Sequence, residues 1–236
     1  MHVLVAMVCL ALAAVSAFAQ EEETIVADRP GLADGAATVG SGVVQLETGL
    51  TLAGDDEESL TLPTLLRIGF GDRFELRIES DVAEGLSDDV ELAPVAAGFK
   101  LRLTDGAIPL SIIAGVQPPS GGGRLRTTDF ESEARLVSDI ELGHGFALTP
   151  NVGVAFVEGG DATGVFAMTL EKTLGNALPF VDFETSFGGG DTSLIADAGV
   201  AWIVRPNTQL DVSGGVELAG DDYPEWFIAA GFSRRF

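Results

Sequence analysis

Residues 74–82, Phe-Glu-Leu-Arg-Ile-Glu-Ser-Asp-Val, alternate apolar and charged side chains almost without a break. Phe74, Leu76, Ile78, Ser80 and Val82 share one side of an extended chain, and Glu75, Arg77, Glu79 and Asp81 share the other. Successive side chains of a strand point to opposite faces, whereas a helix would scatter the four charges around its circumference. The stretch therefore predicts a strand with one apolar and one strongly charged face. The same alternation, read with turn residues as punctuation, predicts about twelve strands. They lie at 43–53, 60–70, 73–83, 92–104, 108–117, 129–142, 146–156, 165–174, 179–187, 194–204, 209–219 and 226–236. No apolar run after residue 20 is long enough to form a membrane-spanning helix.

The connections carry as much information as the strands. Gly71-Asp72, Thr104–Ala107, Gly143–Gly145, Gly175–Ala177 and Arg205–Thr208 are short turns rich in Gly, Asn, Asp or Pro. Between them lie longer, acidic or Gly-rich loops, and short alternates with long along the whole chain. An up-and-down meander with two unlike ends has this form. A sandwich must protect its edge strands, often with Lys or Pro, but beyond residue 20 the only lysines are Lys100 and Lys172. A closed transmembrane antiparallel β-barrel has no edges and keeps short turns at one end and longer loops at the other. Aromatics agree: Phe70, Phe74, Phe146, Phe180, Trp202 and Phe236 are predicted near the short-turn end, and Phe130, Phe156, Phe166, Phe187, Tyr223 and Trp226 near the loop end.

Energetics sets the register. An Arg facing lipid at mid-depth costs roughly 2–4 kcal/mol, and acids somewhat less. Turning residues 74–82 inside out would expose four charges, a penalty comparable to a domain's whole stability of about 5–15 kcal/mol. The apolar parity is therefore expected to face outer-membrane lipid and the charged parity the lumen. The basic lumen-lining candidates are Arg67, Arg77, Lys100, Arg102 and Arg135. Acidic candidates from the first half of the barrel are Glu75, Glu79, Asp81, Glu133, Asp139 and Glu141. From the second half they are Glu171, Asp182, Glu184, Asp197, Asp211 and Glu217. Twelve strands lie between barrels filled by side chains and barrels with an open channel, so a narrow, acidic lumen is expected.

Both ends of the chain carry signals. Residues 1–19 read as a secretory signal peptide, an apolar run followed by Ala17-Phe18-Ala19 as the cleavage site. Residues 20–41 have little periodicity and read as a periplasmic or lumenal leader, with 42–236 as the barrel. Pro30 biases Arg29 towards an extended conformation, and the sharper reading has Asp28 or Arg29 entering the lumen to pair with interior charges. The final strand ends on an outward Phe236, which resembles the signal that outer-membrane proteins present to the barrel-assembly machinery.

The net charge of −23, from 36 acidic and 13 basic residues, argues against nucleic acid as a partner. Cys9 would leave with the signal, so no disulfide is expected. Of the two histidines, His2 would leave as well and His144 sits in a Gly-His-Gly turn, so no catalytic histidine pair and no enzyme is read. Asp55-Asp56-Glu57-Glu58, Asp88-Asp89 and Asp221-Asp222 offer oxygens for calcium, but without an EF-hand spacing they read as solvated loops. No metal and no cofactor is expected.

The segment Ala27–Gly49 adds a resemblance. Asp28, Arg29, Pro30, Gly31, Gln45, Leu46, Glu47 and Gly49 match the opening of the outer-membrane transporters grouped as the "MetA-pathway of phenol degradation" family. Residues 197–218 and the terminal Gly-Phe-Ser-Arg-Arg-Phe look like that family's closing hairpin and strand. Gly40-Ser41-Gly42 departs from the usual Pro-Gly, and Arg234 stands where an aromatic is common. The resemblance implies a Gram-negative outer-membrane barrel passing small molecules, aromatic ones among them. The expected protein is a monomer with both termini periplasmic, giving passive passage to small solutes. The alternative is a structural or adhesive barrel whose lumen is plugged by its own side chains.

Overall fold

The computed structural model describes residues 24–54, 58–85, 90–123, 126–188, 190–221 and 223–236; the expected signal peptide and parts of the loops lie outside them. Thirteen strands are described: β1 (Val44–Gly54), β2 (Glu58–Phe70), β3 (Phe74–Gly85), β4 (Val90–Thr104), β5 (Leu110–Gln117), β6 (Glu131–Ser138), β7 (Ile140–Gly143), β8 (Phe146–Val157), β9 (Thr163–Lys172), β10 (Ala177–Gly188), β11 (Asp191–Arg205), β12 (Thr208–Ala219) and β13 (Trp226–Arg235). All pairings are antiparallel, and β1 pairs with β13, Gln45 opposite Arg235 and Gly54 opposite Trp226, which closes the sheet. β6 and β7 both pair with β8 and form one stave interrupted at Asp139, so the barrel has twelve staves. The single strand expected over 129–142 is interrupted at Asp139, whose Oδ2 accepts a hydrogen bond from the Ala36 N–H at 2.8 Å.

The distribution of polarity is the reverse of a soluble protein's. Arg67, Lys100, Gln45, Glu47 and Glu75 are among the largest fully buried side chains, while Leu50, Val181, Trp202, Val212 and Ile228 are exposed on the outer face. Charged residues are almost never fully buried unless paired. An apolar outer band around a polar interior is the arrangement of a barrel in lipid. Alternation along β1 states it locally: Gln45, Glu47 and Gly49 are buried while Leu46, Thr48 and Leu50 are not.

Cross-strand glycines help to seat the aromatics. Phe187 lies opposite Gly164, Trp226 opposite Gly54, Phe180 opposite Gly199 and Phe227 opposite Gly215. In each pair an added Cβ would fall within 2.7 Å of the ring, so only glycine leaves the ring room to lie across its neighbour. Phe180 is buried on the interior side, in the same parity as Asp182. It therefore does not belong to the outer aromatic rim predicted for the short-turn end, whereas Phe70 and Phe146 are exposed there. His144, with φ +54, turns between Gly143 and Gly145 at φ +85 and +76. Its carbonyl accepts a hydrogen bond from Lys172.

Candidate functional site

The leader enters the barrel at the short-turn end, where the Ile25 N–H donates to the Pro206 carbonyl at 2.6 Å. It returns to the same end, where Gly42 and Val43 exchange backbone hydrogen bonds with Gly69. Between those points it has no strand or helix. Buried backbone polar groups need partners, and non-helical backbone at membrane depth is tolerated only inside protein or along a cavity. Here barrel side chains supply the partners.

Glu47 Oε2 accepts from both the Asp28 and Arg29 N–H groups at 3.0 Å. Glu75 Oε2 accepts from Val39 N–H at 2.9 Å, and Asp182 Oδ2 from Leu32 N–H at 2.8 Å. Asn151 bonds both the N–H and the carbonyl of Asp34, each at 2.9 Å. Ser111 donates to the Ala36 carbonyl at 2.6 Å, Gln209 to that of Arg29 at 2.8 Å and Arg235 to that of Val39 at 3.1 Å. One small apolar contact, Ala36 with Ile113 and Val137, completes the docking.

Asp28 is the charged centre. Its carboxylate meets Arg67 (3.3 Å), Lys100 (2.9 Å) and Arg77. Burial alone would push this carboxyl up, but the charges of Arg67, Lys100 and Arg77 outweigh that and hold it well below the usual carboxylate range. Arg67 also forks onto Glu75 at 2.9 and 3.0 Å and reaches Glu47 at 3.0 Å. Arg77 reaches Asp34 at 2.9 Å and Glu79 at 3.1 Å. On the other side of the leader, Arg29 lies in a slot formed by Gly49 and Gly231, which face each other across β1 and β13. A Cβ on either would come within 2.5 Å of its guanidinium.

Above the leader, towards the loops, lies a vestibule of about 520 Å³. Gly31, Leu32 and Asp34 of the leader contribute to its lining, with Arg77, Glu79, Glu131, Glu133, Arg135 and Glu184 on the walls. Arg135 ties that wall together, bonding Glu184 at 2.7 Å and also Glu133. Tyr223, from the last loop, donates to Glu184 at 3.1 Å. Burial first, then the neighbouring Glu184 carboxylate, raises the Tyr223 phenol above its ordinary value.

The seventeen barrel candidates thus fall into different environments. Arg67, Glu75, Arg77, Lys100, Asp139, Asp182 and Asp211 bond the leader. Glu79, Glu133, Arg135 and Glu184 line the vestibule. Arg102 instead pairs with Asp105 of the β4–β5 turn at 3.1 Å. Glu217 accepts from the Tyr223 N–H at 3.1 Å. Asp81 and Glu141 are exposed, Glu171 is half-buried, and Asp197 is buried without a hydrogen-bond partner. Sequence reasoning passed over Glu47, Asn151, Ser111 and Gln209. The alternation around Leu46 could have placed Glu47 inside, but neutral inward side chains carry no signal distinguishing a leader contact from a solvated wall. Of the loop acids considered for calcium, Asp55–Glu57, Asp88, Asp89 and Asp222 lie outside the described residues.

A closed twelve-stave barrel with an apolar exterior, a charged interior and its own leader folded inside is a bacterial outer-membrane β-barrel. The sequence signature of the "Putative MetA-pathway of phenol degradation" family matches residues 27–236, and the chain belongs to that family. No protein of curated function matches it in sequence. Among solved structures, an outer membrane channel from Pseudomonas putida F1 superposes with a TM-score of 0.67 at 11% identity, covering 85% of this chain and 98% of that one. The KdgM porin in complex with disordered oligogalacturonate gives 0.61 at 11% identity, over 82% and 99%. The NanC porin gives 0.58 at 7% identity, over 81% and 98%. At these identities the likeness is one of fold.

Proposed function

We propose that the barrel gives small solutes passive passage across the outer membrane, as a monomer with both termini on the periplasmic side. The observation that carries this reading is the vestibule: a cavity at the loop end, lined in part by a leader held by side chains rather than by a β-ladder. A segment held in that way can shift without unzipping the sheet. The family's name favours aromatic compounds among the solutes. Carboxylates outnumber cations around the vestibule, where Asp34, Glu79, Glu131, Glu133 and Glu184 face Arg77 and Arg135. Low-dielectric walls focus such a field and concentrate counter-ions, so the passage prefers cations. Phe236 serves as the address read by the barrel-assembly machinery; its deletion lowers the amount of folded barrel in the membrane, and unchanged levels would refute that role.

Planar-bilayer recording of the intact chain in a salt gradient tests the main reading. Discrete conductance steps with a reversal potential of cationic sign are expected, and a liposome-swelling screen then ranks solutes. A folded barrel that stays silent would overturn passage and leave the second reading, a structural or adhesive barrel. That reading draws on the full burial of Arg67, Lys100, Glu47 and Glu75 around the leader.

A further inference from the structure

Three aspartates on consecutive strands stand apart from the rest of the interior. Asp182 on β10, Asp197 on β11 and Asp211 on β12 are 5%, 7% and 4% exposed, so all three are more than nine-tenths buried. Asp182 and Asp197 are direct cross-strand partners, a placement in which like charges destabilise a sheet. Asp182 Oδ2 is used by the leader's Leu32 and by Thr169, but its Oδ1 has no partner. Asp211 Oδ1 meets Arg29 at 3.2 Å, and its Oδ2 has none. Neither oxygen of Asp197 has any hydrogen-bond partner. Three carboxylates thus face one guanidinium. A buried charge without a partner is costly unless something neutralises it.

A shared proton does not fit. It would require an oxygen of Asp197 within hydrogen-bond distance of an oxygen of Asp182, yet both Asp197 oxygens stand alone. A chelated divalent metal does not fit either: among the described residues no three acidic, His or Cys side chains converge as ligands. A monovalent cation that keeps part of its water shell suits single carboxylates spaced along a wall. The strand partner of Asp197 on β12 is Gly215. A Cβ there would meet both the Asp197 Cβ at 2.7 Å and the Phe227 ring at 2.4 Å. The Asp197 side chain and the Phe227 ring therefore both lie against the same glycine.

We infer that Asp182, Asp197 and Asp211 form a stepwise binding path for monovalent cations along the β10–β12 wall, past the leader. The inference rests on the passage proposed above and names its route. Glu184, in the vestibule wall, lies two residues loopward of Asp182 on β10, a step of about 7 Å at strand rise. Asp211 pairs with Ala201, four residues nearer the short-turn end than Asp197, a further step of about 13 Å. The carboxylates therefore descend from the vestibule towards the short-turn end. Asp197 is the step that the leader does not use, since its oxygens bond neither leader nor wall.

Asp197→Asn tests the path with the least disturbance, because it removes charge while keeping shape and breaks no bond. In planar bilayers with potassium chloride on both sides, potassium conductance should fall several-fold and the reversal potential in a gradient should move towards zero. Asp72→Asn, in a short turn, should change neither. A conducting wild type whose Asp197→Asn variant keeps its conductance and selectivity would overturn the path while leaving passage intact. A second measurement decides the site even if the wild type proves silent. Thermal unfolding of the detergent-folded barrel is compared in potassium and in N-methylglucamine chloride at equal ionic strength. The wild type should be stabilised by potassium and Asp197→Asn should not. Equal response of the two proteins would remove the cation site, whereas a response confined to the wild type in a silent barrel would remove passage and keep the site.

Discussion

The β2–β4 wall and the β10–β12 wall are built from the same alternation, yet they use their inward charges differently. On β2–β4, Arg67, Arg77 and Lys100 converge on Asp28, and Glu75 pairs with both arginines. Positive and negative groups interlock and every long side chain is held. On β10–β12 the inward charges are all acidic, and the leader offers them one guanidinium, that of Arg29. The first wall anchors a segment; the second leaves carboxylate oxygens unmatched. Interior charge in a barrel of this size is therefore not a uniform lining. Where it is balanced it acts as a docking site, and where it is unbalanced it holds a field.

Removing the centre of the balanced wall should have the largest effect. Asp28→Ala leaves three buried cations without their common anion, and breaking a buried ion cluster in this way costs about 3–5 kcal/mol. Release of the leader should follow, read as proteolysis at residues 25–43 and as noisier, larger bilayer currents. A variant whose leader stays protected would show that the backbone bonds from Glu47, Glu75 and Asn151 suffice.

A pair of substitutions on β3 sharpens the contrast between the two faces of that same wall. Ile78→Arg places a charge against lipid at a cost of about 2–4 kcal/mol, while Glu79→Arg puts it in the vestibule. Folded yield, measured by heat-modifiable gel mobility, should fall much further for the first. Equal yields would mean that β3 is turned the other way.

Gly231→Val acts where the acidic wall meets the leader. Its Cβ would fall 2.3 Å from Asp211 Oδ1 and 2.5 Å from Arg29 Nε, and overpacking of this kind costs about 1–3 kcal/mol. Arg29 should be expelled from its slot, adding one uncompensated carboxylate and raising cation selectivity. A drop in selectivity would contradict the assignment of Arg29 as the counter-charge.

Acidification should have the smallest effect. Asp28 is held below its ordinary value, so its stabilisation is fully present above the unfolded pKa of about 3.9. It is lost only as pH falls through the lower folded value. Protease resistance of the leader should thus be the same at pH 7 and at about pH 4.5. Release already at about pH 4.5 would show that the three cations do not act on Asp28 together.

Alternation by itself determined the barrel. Residues 74–82 admit one strand register, because the wrong face would put four charges into lipid, and the regular exchange of short turns and long loops then admits an up-and-down meander. The break at Asp139 was hidden, since the local pattern of 129–142 continues through it, and so was the Ala36 N–H that its carboxylate holds. Phe180 was misassigned to the rim because hydrophobicity was read ahead of parity: it shares the inward parity of Asp182, and its partner Gly199 leaves room for the ring there. Parity also brought Arg67, Glu75, Arg77 and Lys100 inside without showing what they hold. Residues 25–43 have no periodicity; their charges pointed Asp28 or Arg29 into the lumen, as the pairs with Lys100 and Asp211 bear out, but neither the rest of the path nor the slot between Gly49 and Gly231 could be read from them. An irregular segment takes its shape from the partners of its backbone groups, and those partners come from strands up to 196 residues away, as Arg235 binds the Val39 carbonyl. Which carboxylates the leader neutralises, and which it leaves bare on β10–β12, was settled only when the closed sheet brought those strands around it.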